Sequence, residues 1–468
     1  MSPRLSEASQ PSLIARFARS FGPASLGEVR SMMQLAVPVV MAEIGWFAMS
    51  LVDTVMVGPL GPAAIGAVGT GSILFMTLMV FGFGTLLALD TFVSQSFGAG
   101  RIDECHRWLF AGLQLALLLA VGLMLASMAG LVLLPAMGFH PDLLVELTAY
   151  AGPLVWSAPP LLAYVVLRRY LQAMNIVRPV MIALVAANLM NLFVNWLLIY
   201  GNLGMPAMGV VGAAYATVAS RLVLAASLFG VILYNERGTP SGLHDVPFRW
   251  EPDRVWRIFS LGWPAAMQIT LEVGVFAVAS ALAARIGPMA SAANQVVLNI
   301  AGFIFMIPFG LGSAAAVRVG QAVGRGDADG MRRAGWTALA LGSIVMSGSA
   351  VLFFTMPATL IRIYSSDAGV IELGIVLLFI CSVFQLFDGL QTVATGALRG
   401  LGDTRTPMVF NLIGHWLIGL PIGYVLCFNR DWGVAGLWTG LSTGLILIGA
   451  SLLIAWNLKS RARVLPGY

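Results

Sequence analysis

Long apolar stretches recur along the whole chain, and no other feature limits its possible fold as strongly. Each stretch contains about 18 residues or more, which is enough for a helix to cross a hydrocarbon core about 30 Å thick. Of the 468 residues, 59% are hydrophobic and 10% are charged, whereas soluble domains carry about 25% charged residues. The sequence therefore predicts an all-α integral membrane protein, surrounded mostly by lipid.

The apolar stretches predict twelve membrane spans. They fall near residues 33–57, 65–96, 109–134, 143–167, 179–200, 210–234, 258–284, 289–317, 334–358, 370–397, 407–427 and 433–457. The tails and the even-to-odd loops hold all but four of the 26 basic residues. The exceptions are Arg221 inside a span and Arg285, Arg362 and Arg430 in the opposite loops. Because cytoplasmic loops are enriched in Lys and Arg, we expect a plasma (inner) membrane protein with both termini in the cytoplasm.

The formal charge of +5 is explained by this loop asymmetry, so no nucleic-acid partner is predicted. Residues 1–30 are polar and contain arginines, and we expect no cleaved signal peptide. The three cysteines, Cys105, Cys381 and Cys427, lack metal-ligand spacing and are too few for a disulfide framework.

The second half of the chain repeats the first at an offset of about 226 residues. Matching positions include Pro38 with Pro264, residues 60–62 with 286–288, and Gln95 with Gln321. Each half holds six spans, an even number, so both halves enter the membrane in the same orientation. This parallel repeat predicts two pseudo-symmetric six-helix bundles that rock about a substrate site near the membrane midplane.

The repeat also predicts the domain boundaries. They are a cytoplasmic tail 1–32, an N-lobe 33–234, a cytoplasmic linker 235–257, a C-lobe 258–458 and a cytoplasmic tail 459–468. Pro38 and Pro264 lie in the first helix of each lobe and are candidate hinges, since proline removes a helix hydrogen bond. Proline is also common in membrane helices that do not move.

Five carboxylates fall within the predicted spans, where a charged group is costly and usually functional. They are Glu43, Asp53, Asp90, Glu272 and Asp388. Since only one arginine is predicted inside a span, we expect most of these carboxylates to be free of ion pairs. Asp53, Glu272 and Asp388 are the main candidates to bind a proton or a cation, and Glu43 and Asp90 are additional ones. The alternative is a protonated carboxyl group that only joins helices.

Polar and aromatic side chains accompany these carboxylates. Asn191 and Asn195 are one turn apart, so they share a helix face. They either hydrogen-bond Asp53 or stabilise helix packing alone. Aromatic rings bind organic cations, and candidates to line a cavity, or alternatively to pack against lipid, are Trp46, Phe47, Phe276, Phe384 and Phe387, together with Gln391.

Several motifs resemble those of the multidrug and toxic compound extrusion family, and the resemblance covers essentially the whole chain. They include Val52-Asp53-Thr54, Tyr170-Leu171-Gln172-Ala173, Leu271-Glu272-Val273 and the run from Phe384 to Asp388. The resemblance implies two six-helix lobes around a V-shaped cavity. It also implies export of cationic or amphiphilic drugs in exchange for protons or sodium.

The same resemblance implies roles for individual residues. Asp53, assisted by Asn191 and Asn195, is the N-lobe carboxylate, and Glu272 and Asp388 form the C-lobe cation site. Similar sodium-driven transporters carry a tyrosine where this chain has Phe384. The absence of that hydroxyl removes an oxygen near the ion, which favours protons as the coupling ion. Sodium binding at Glu272 and Asp388 is the alternative.

Other functions are less consistent with the sequence. The chain lacks the phosphate-binding loop of ATPases, and we expect no cofactor and a monomer. A flippase for lipid-linked sugars would favour a cationic cavity. A membrane-embedded enzyme would need a histidine cluster or an activated nucleophile, but the four histidines are scattered. We expect His415, alone in the eleventh span, to be a packed polar residue.

Overall fold

Helices form all the regular secondary structure of the described residues, which are 23–137, 140–238 and 241–462 of a computed structural model. In these ranges, eleven helices are long and apolar enough to cross a membrane. A pair of helices bent by 49° supplies a twelfth span. The predicted all-α membrane fold is therefore confirmed.

The twelve spans are called the first to the twelfth in chain order. Their helices are Pro23–Val57; Pro62–Leu86 with Ala88–Gly98; Ile102–Leu133; Pro141–Val155 with Ala158–Ala173; Arg178–Tyr200; Val210–Gly238; Pro252–Ile286; Pro288–Gly324; Ala328–Thr355; Ala368–Gly400; Arg405–Asn429; and Gly433–Ala462. Spans one to six form the N-lobe and spans seven to twelve the C-lobe.

The internal repeat appears in the way that helices begin. Pro62 opens the second span after Gly61, and Pro288 opens the eighth span after Gly287. Proline suits the first position of a helix because the N–H group that it lacks would be unpaired there. The preceding glycines have φ of 109° and 152°, which L-residues with a side chain rarely adopt. The two lobes therefore use the same sharp turn at corresponding places.

The helices extend beyond several predicted spans. The fourth span continues to Ala173 and the tenth to Gly400, so Arg168, Arg169 and Arg399, which were predicted in loops, are buried in the helical interior. The helices on either side of the predicted linker 235–257 also enter it, ending at Gly238 and starting at Pro252. The fourth and tenth helices can carry these arginines in the interior because their carboxylate partners are also inside the protein.

The two candidate hinge prolines lie within uninterrupted helices. Pro38 is inside Pro23–Val57, and Pro264 is inside Pro252–Ile286. The breaks occur instead at Leu87 in the second span and after Val155 in the fourth. The eleventh span contains two π-helical stretches, Leu412–Gly419 and Val425–Asn429. The hinge role of the prolines stays a prediction.

The even-to-odd loops come together at one end of the molecule, which we call the linker face. There, Arg254 Nη1 is 2.7 Å from Glu104 Oε2, and the His106 ring is 3.2 Å from the carbonyl oxygen of Ser241. Arg318 of the eighth span pairs with Glu28 near the start of the first helix, at 2.7 Å. These contacts join the starts of the first, third and seventh spans, the loop after the sixth span and the end of the eighth span on a single side.

The two lobes pack against each other through their first two spans. The first span contacts the eighth, and the second contacts the seventh, as the repeat requires. Near the linker face the approach is very close. A Cβ atom on Gly98 would lie 2.1 Å from the Gln321 carbonyl oxygen, and one on Gly324 would lie 2.0 Å from the Gln95 carbonyl oxygen. Because these two contacts are related by the repeat, the seam between the lobes is symmetric there.

Candidate functional site

Two of the predicted carboxylates line one cavity inside the C-lobe. Glu272 lies on the seventh span and Asp388 on the tenth, and the cavity that they share has a volume of about 300 Å³. Aromatic side chains supply much of its wall, and they are Phe276, Phe305, Phe309, Phe384 and Trp438. The cavity therefore combines negative charge with flat apolar surfaces.

Amide groups hold the Glu272 carboxylate. Gln268, one turn earlier on the same helix, donates to Oε2 at 3.1 Å, and Gln391 of the tenth span donates to Oε1 at 3.0 Å. Both Glu272 and Asp388 are free of ion pairs with the described basic residues. Gln391 therefore contacts the carboxylate but lies outside the lining of the cavity, which it was predicted to line.

Phe384 is the residue on which the sequence analysis based its preference for protons. Its ring stacks on Trp438, with centroids 6.2 Å apart, and the Trp438 indole donates to Asn294 Oδ1 at 3.0 Å. Phe276 lines the same cavity and meets the buried His415 ring edge to face at 6.2 Å. This wall of the cavity is apolar at Phe384, which brings no oxygen towards the carboxylates.

A second polar centre lies in the N-lobe around Asp53, whose side chain is buried. Asn195 donates to its Oδ1 atom at 2.7 Å, which is one of the two alternatives that the sequence left open, and the same amide reaches Asn191 Oδ1 at 3.1 Å. Thr217 of the sixth span donates to Asp53 Oδ2 at 2.9 Å. The sequence analysis missed this threonine, although Thr217 precedes Arg221, the one basic residue predicted inside a span, by one turn.

Arg221 is buried in the N-lobe beside this centre. It donates to the hydroxyl of Ser157. Its guanidinium also lies over the rings of Phe75 and Trp46, at 5.0 and 5.8 Å from their centroids. Trp46 stacks in turn on Tyr164. Trp46 therefore packs inside the N-lobe and is absent from the lining of the C-lobe cavity.

The other two buried carboxylates form ion pairs, which corrects one expectation. Glu43 Oε1 is 2.5 Å from Arg168 Nη2. Asp90 Oδ2 is 3.4 Å from Arg169 Nη1 and 3.3 Å from Arg399 Nη2. The prediction that Arg221 is the sole basic residue among these carboxylates is wrong, because the helices carrying the other arginines continue inward. Asp53, Glu272 and Asp388 remain the candidates to bind a cation or a proton.

Two of the predicted aromatic residues have other neighbours. Phe47 meets Phe303 edge to face at 6.1 Å across the seam between the lobes. Phe387 lies against the twelfth span at Gly449, where an added Cβ atom would be 2.6 Å from the Phe387 carbonyl oxygen. Both lie outside the lining of the C-lobe cavity.

A duplicated bundle of twelve spans with carboxylates in the interior of each lobe defines a polytopic membrane protein of the transporter class. The MatE family model matches residues 38–197 and 264–425. The chain therefore belongs to the MatE family. The two matched stretches begin 226 residues apart, which is the offset of the internal repeat.

Similar proteins agree with this assignment. The chain is 34% identical over 441 residues to a probable multidrug resistance protein NorM of Mesorhizobium japonicum, covering 93% of this chain and 94% of that protein. It is 33% identical to the multidrug resistance protein NorM of Photobacterium profundum, with 92% and 95% covered. The crystal structure of the eukaryotic MATE transporter AtDTX14 superimposes with a TM-score of 0.85 at 22% identity, covering 93% of this chain and 98% of that one. These relatives are transporters and not enzymes.

Proposed function

We propose that this protein exports cationic or amphiphilic organic compounds from the cell in exchange for protons, by alternating access between its two lobes. The similar NorM proteins are named for multidrug resistance. The observation that carries the proposal is the C-lobe cavity, in which Glu272 and Asp388 face aromatic walls, while Arg399 of the lining is paired with Asp90 instead. Such a cavity attracts an organic cation through its carboxylates and its rings together.

A drug and a coupling ion compete for the same carboxylates in this proposal. Polar groups in a membrane protein that lack an ion-pair partner mark ion or proton pathways. Glu272 and Asp388 serve this purpose in the C-lobe, and Asp53 serves it in the N-lobe. Rocking of one lobe against the other then exposes these sites alternately to the two sides of the membrane.

Protons are favoured over sodium because of the groups around the C-lobe carboxylates. Sodium needs several oxygen ligands to replace its water, as hard cations do. Phe384 contributes a ring that stacks on Trp438 at the place where a hydroxyl would add an oxygen. Sodium binding at Glu272 and Asp388 is the alternative, and efflux measured under separate proton and sodium gradients distinguishes the two.

The location and assembly belong to the same proposal. The bacterial relatives and the twelve spans support a place in the inner membrane, and the basic loops support a cytoplasmic linker face with both termini inside. One chain already contains two lobes and a cavity, so we propose that the monomer transports.

The decisive experiment is efflux of the fluorescent cation ethidium from membrane vesicles under a proton gradient or a sodium gradient imposed separately. We expect efflux with the proton gradient alone. Glu272→Gln should reduce it to the level of vesicles without the protein, because the neutral amide cannot exchange a proton. Glu372→Gln, which neutralises an exposed carboxylate of the tenth span outside the cavity lining, serves as the matched control and should retain proton-driven efflux.

The other outcomes are informative as well. Efflux that requires sodium would overturn the proton assignment and make Glu272 and Asp388 a sodium site. Full efflux by Glu272→Gln would refute the role of this carboxylate. Absence of ethidium efflux under both gradients would contradict drug export and favour a lipid-linked sugar as substrate.

A further inference from the structure

Three buried charges lie where the two lobes meet, close to the linker face. Asp90 is on the second span, Arg169 on the fourth and Arg399 on the tenth, so the first two belong to the N-lobe and the third to the C-lobe. Asp90 Oδ2 is within 3.4 Å of Arg169 Nη1 and 3.3 Å of Arg399 Nη2. The exposed fractions of the three residues are 0%, 0% and 6%. The Asp90 carboxylate therefore forms ion pairs with two arginines in the buried interior.

The bonds of this cluster cross from one lobe to the other. Arg399 brings its guanidinium from the C-lobe to Asp90 of the N-lobe. Arg169 of the N-lobe donates to Ser313 Oγ of the eighth span at 3.1 Å. Thr91, next to Asp90, donates to the Arg399 carbonyl oxygen at 2.5 Å. Separating the lobes at this point would break all three interactions.

The cluster is an addition to a symmetric contact. Next to it, Gln95 donates to the Gly400 carbonyl oxygen at 3.0 Å, and Gln321 donates to the Ala173 carbonyl oxygen at 2.9 Å. These two bonds are related by the internal repeat and cross the seam in opposite directions. At the same offset of 226 residues, Asp90 corresponds to Ala316. The duplicated fold therefore makes the seam without these charges, so they need a separate explanation.

Arg399 also belongs to the wall of the C-lobe cavity. Asp388, Thr392, Thr395 and Arg399 of the tenth span all line that cavity. Their spacing of four, three and four residues places them on one face of the helix. Arg399 stands at the linker-face end of this row, so the group that ties the lobes together also closes the cavity on that side.

We propose that Asp90, Arg169 and Arg399 form an ion latch that holds the linker face closed and seals the C-lobe cavity from that side. They are positioning residues for transport, since they act by setting which side of the membrane reaches the cavity. This inference rests on the proposed alternating access of the two lobes. A buried charge cluster is suited to such a switch because its charges are stable when joined and strongly unfavourable when left buried and unpaired.

The test measures access to the cavity and does not depend on transport. The three native cysteines are replaced by alanine, and Thr395→Cys introduces a single thiol one turn from Arg399 in the cavity wall. A membrane-impermeant maleimide is then added to inside-out or to right-side-out vesicles. With the latch intact, we expect slow labelling from the linker face.

Asp90→Asn should raise the labelling rate from the linker face by about tenfold, a change in an equilibrium that corresponds to about 1.4 kcal/mol. The reason is that Arg169 and Arg399 would then face each other without a counter-charge. Arg399→Gln should also raise the rate but by less, because it removes the ion pair between the lobes without leaving two buried arginines unpaired. Arg399→Lys retains the cation and should stay close to the parent rate. Elution as a single species in detergent shows that each variant is folded.

Glu43→Gln is the matched control for this experiment. It also breaks a buried pair between a carboxylate and an arginine, but Glu43 and Arg168 both belong to the N-lobe. We expect it to leave the labelling rate from the linker face within about twofold of the parent. Folded Asp90→Asn and Arg399→Gln proteins that label at the parent rate would overturn the latch, as would an equal increase in Glu43→Gln. If the labelling rates change as expected but ethidium is not exported, the result would count against the proposed substrate and not against the latch.

Discussion

At the residue scale, the partners of the carboxylates within the spans separate them into two groups. Glu43 and Asp90 bind arginines, whereas Asp53 and Glu272 accept hydrogen bonds from amides and a hydroxyl. A carboxylate bound to an arginine already has a fixed positive partner, and the pair stabilises one arrangement of helices. A carboxylate bound to neutral donors can exchange its cation, which is what coupled transport requires.

The pair of Glu43 and Arg168 gives a prediction about stability. Glu43→Gln should cost about 3–5 kcal/mol, because it leaves the Arg168 charge buried without a counter-ion. The measurement is the apparent melting temperature of the purified protein in detergent. The double variant Glu43→Gln/Arg168→Met removes both charges and should recover most of the loss. A single variant as stable as the parent would show that this pair contributes nothing to stability.

At the element scale, the ends of the helices determine where the polar groups lie. The fourth and tenth helices continue past their predicted ends at residues 167 and 397 to Ala173 and Gly400, and this extension carries Arg169 and Arg399 to Asp90. The helices of opposite lobes can meet there because Gly98 and Gly324 leave room for the backbone of the other lobe. Small residues allow such close approach of helices in membranes.

This close approach predicts a specific effect of a single methyl group. Gly98→Ala and Gly324→Ala should each destabilise the closed linker face by about 1–3 kcal/mol, since a backbone carbonyl oxygen lies about 2 Å from the new atom. Ethidium efflux should fall in both variants. Gly348→Ala, at a helical position with no atom within 4 Å, should leave efflux unchanged. Equal efflux in all three variants would show that the seam tolerates the extra volume.

At the scale of the whole molecule, the repeat and the distribution of charge define the architecture. The contacts between the first and eighth spans correspond to those between the seventh and second. The loops that carry most of the arginines contact one another on the linker face. The molecule therefore consists of two similar lobes that share one basic face, and the proposed transport cycle moves these lobes against each other.

The orientation of this face in the membrane is a prediction that reporter fusions can check. A fluorescent protein that matures only in the cytoplasm should be bright when fused after residue 462. Alkaline phosphatase, which is active only outside the cytoplasm, should be active when inserted in the loop 363–367 after the ninth span. The physical reason is retention of basic loops on the cytoplasmic side. The opposite pattern of activities would invert the topology and the direction of transport.

The sequence by itself determined the membrane environment, the twelve spans, the duplication and the five carboxylates within the spans. These features depend on local hydrophobicity and on matching residues at a fixed offset, and both can be counted along a chain. The link of Asn195 to Asp53 was one of two alternatives open from the sequence, because a shared helix face identifies the two asparagines but not their partner.

Only the tertiary structure decided which carboxylates are paired. Arg168 and Arg169 follow an apolar stretch and look like the start of a basic loop, and Arg399 looks the same at the end of the tenth span. Whether such a residue enters water or the interior depends on partners more than 70 residues away, such as Asp90. The same is true of the ion latch, of the bond from Thr217 to Asp53 and of the cavity. Each of them forms only when helices that are distant in the sequence pack together.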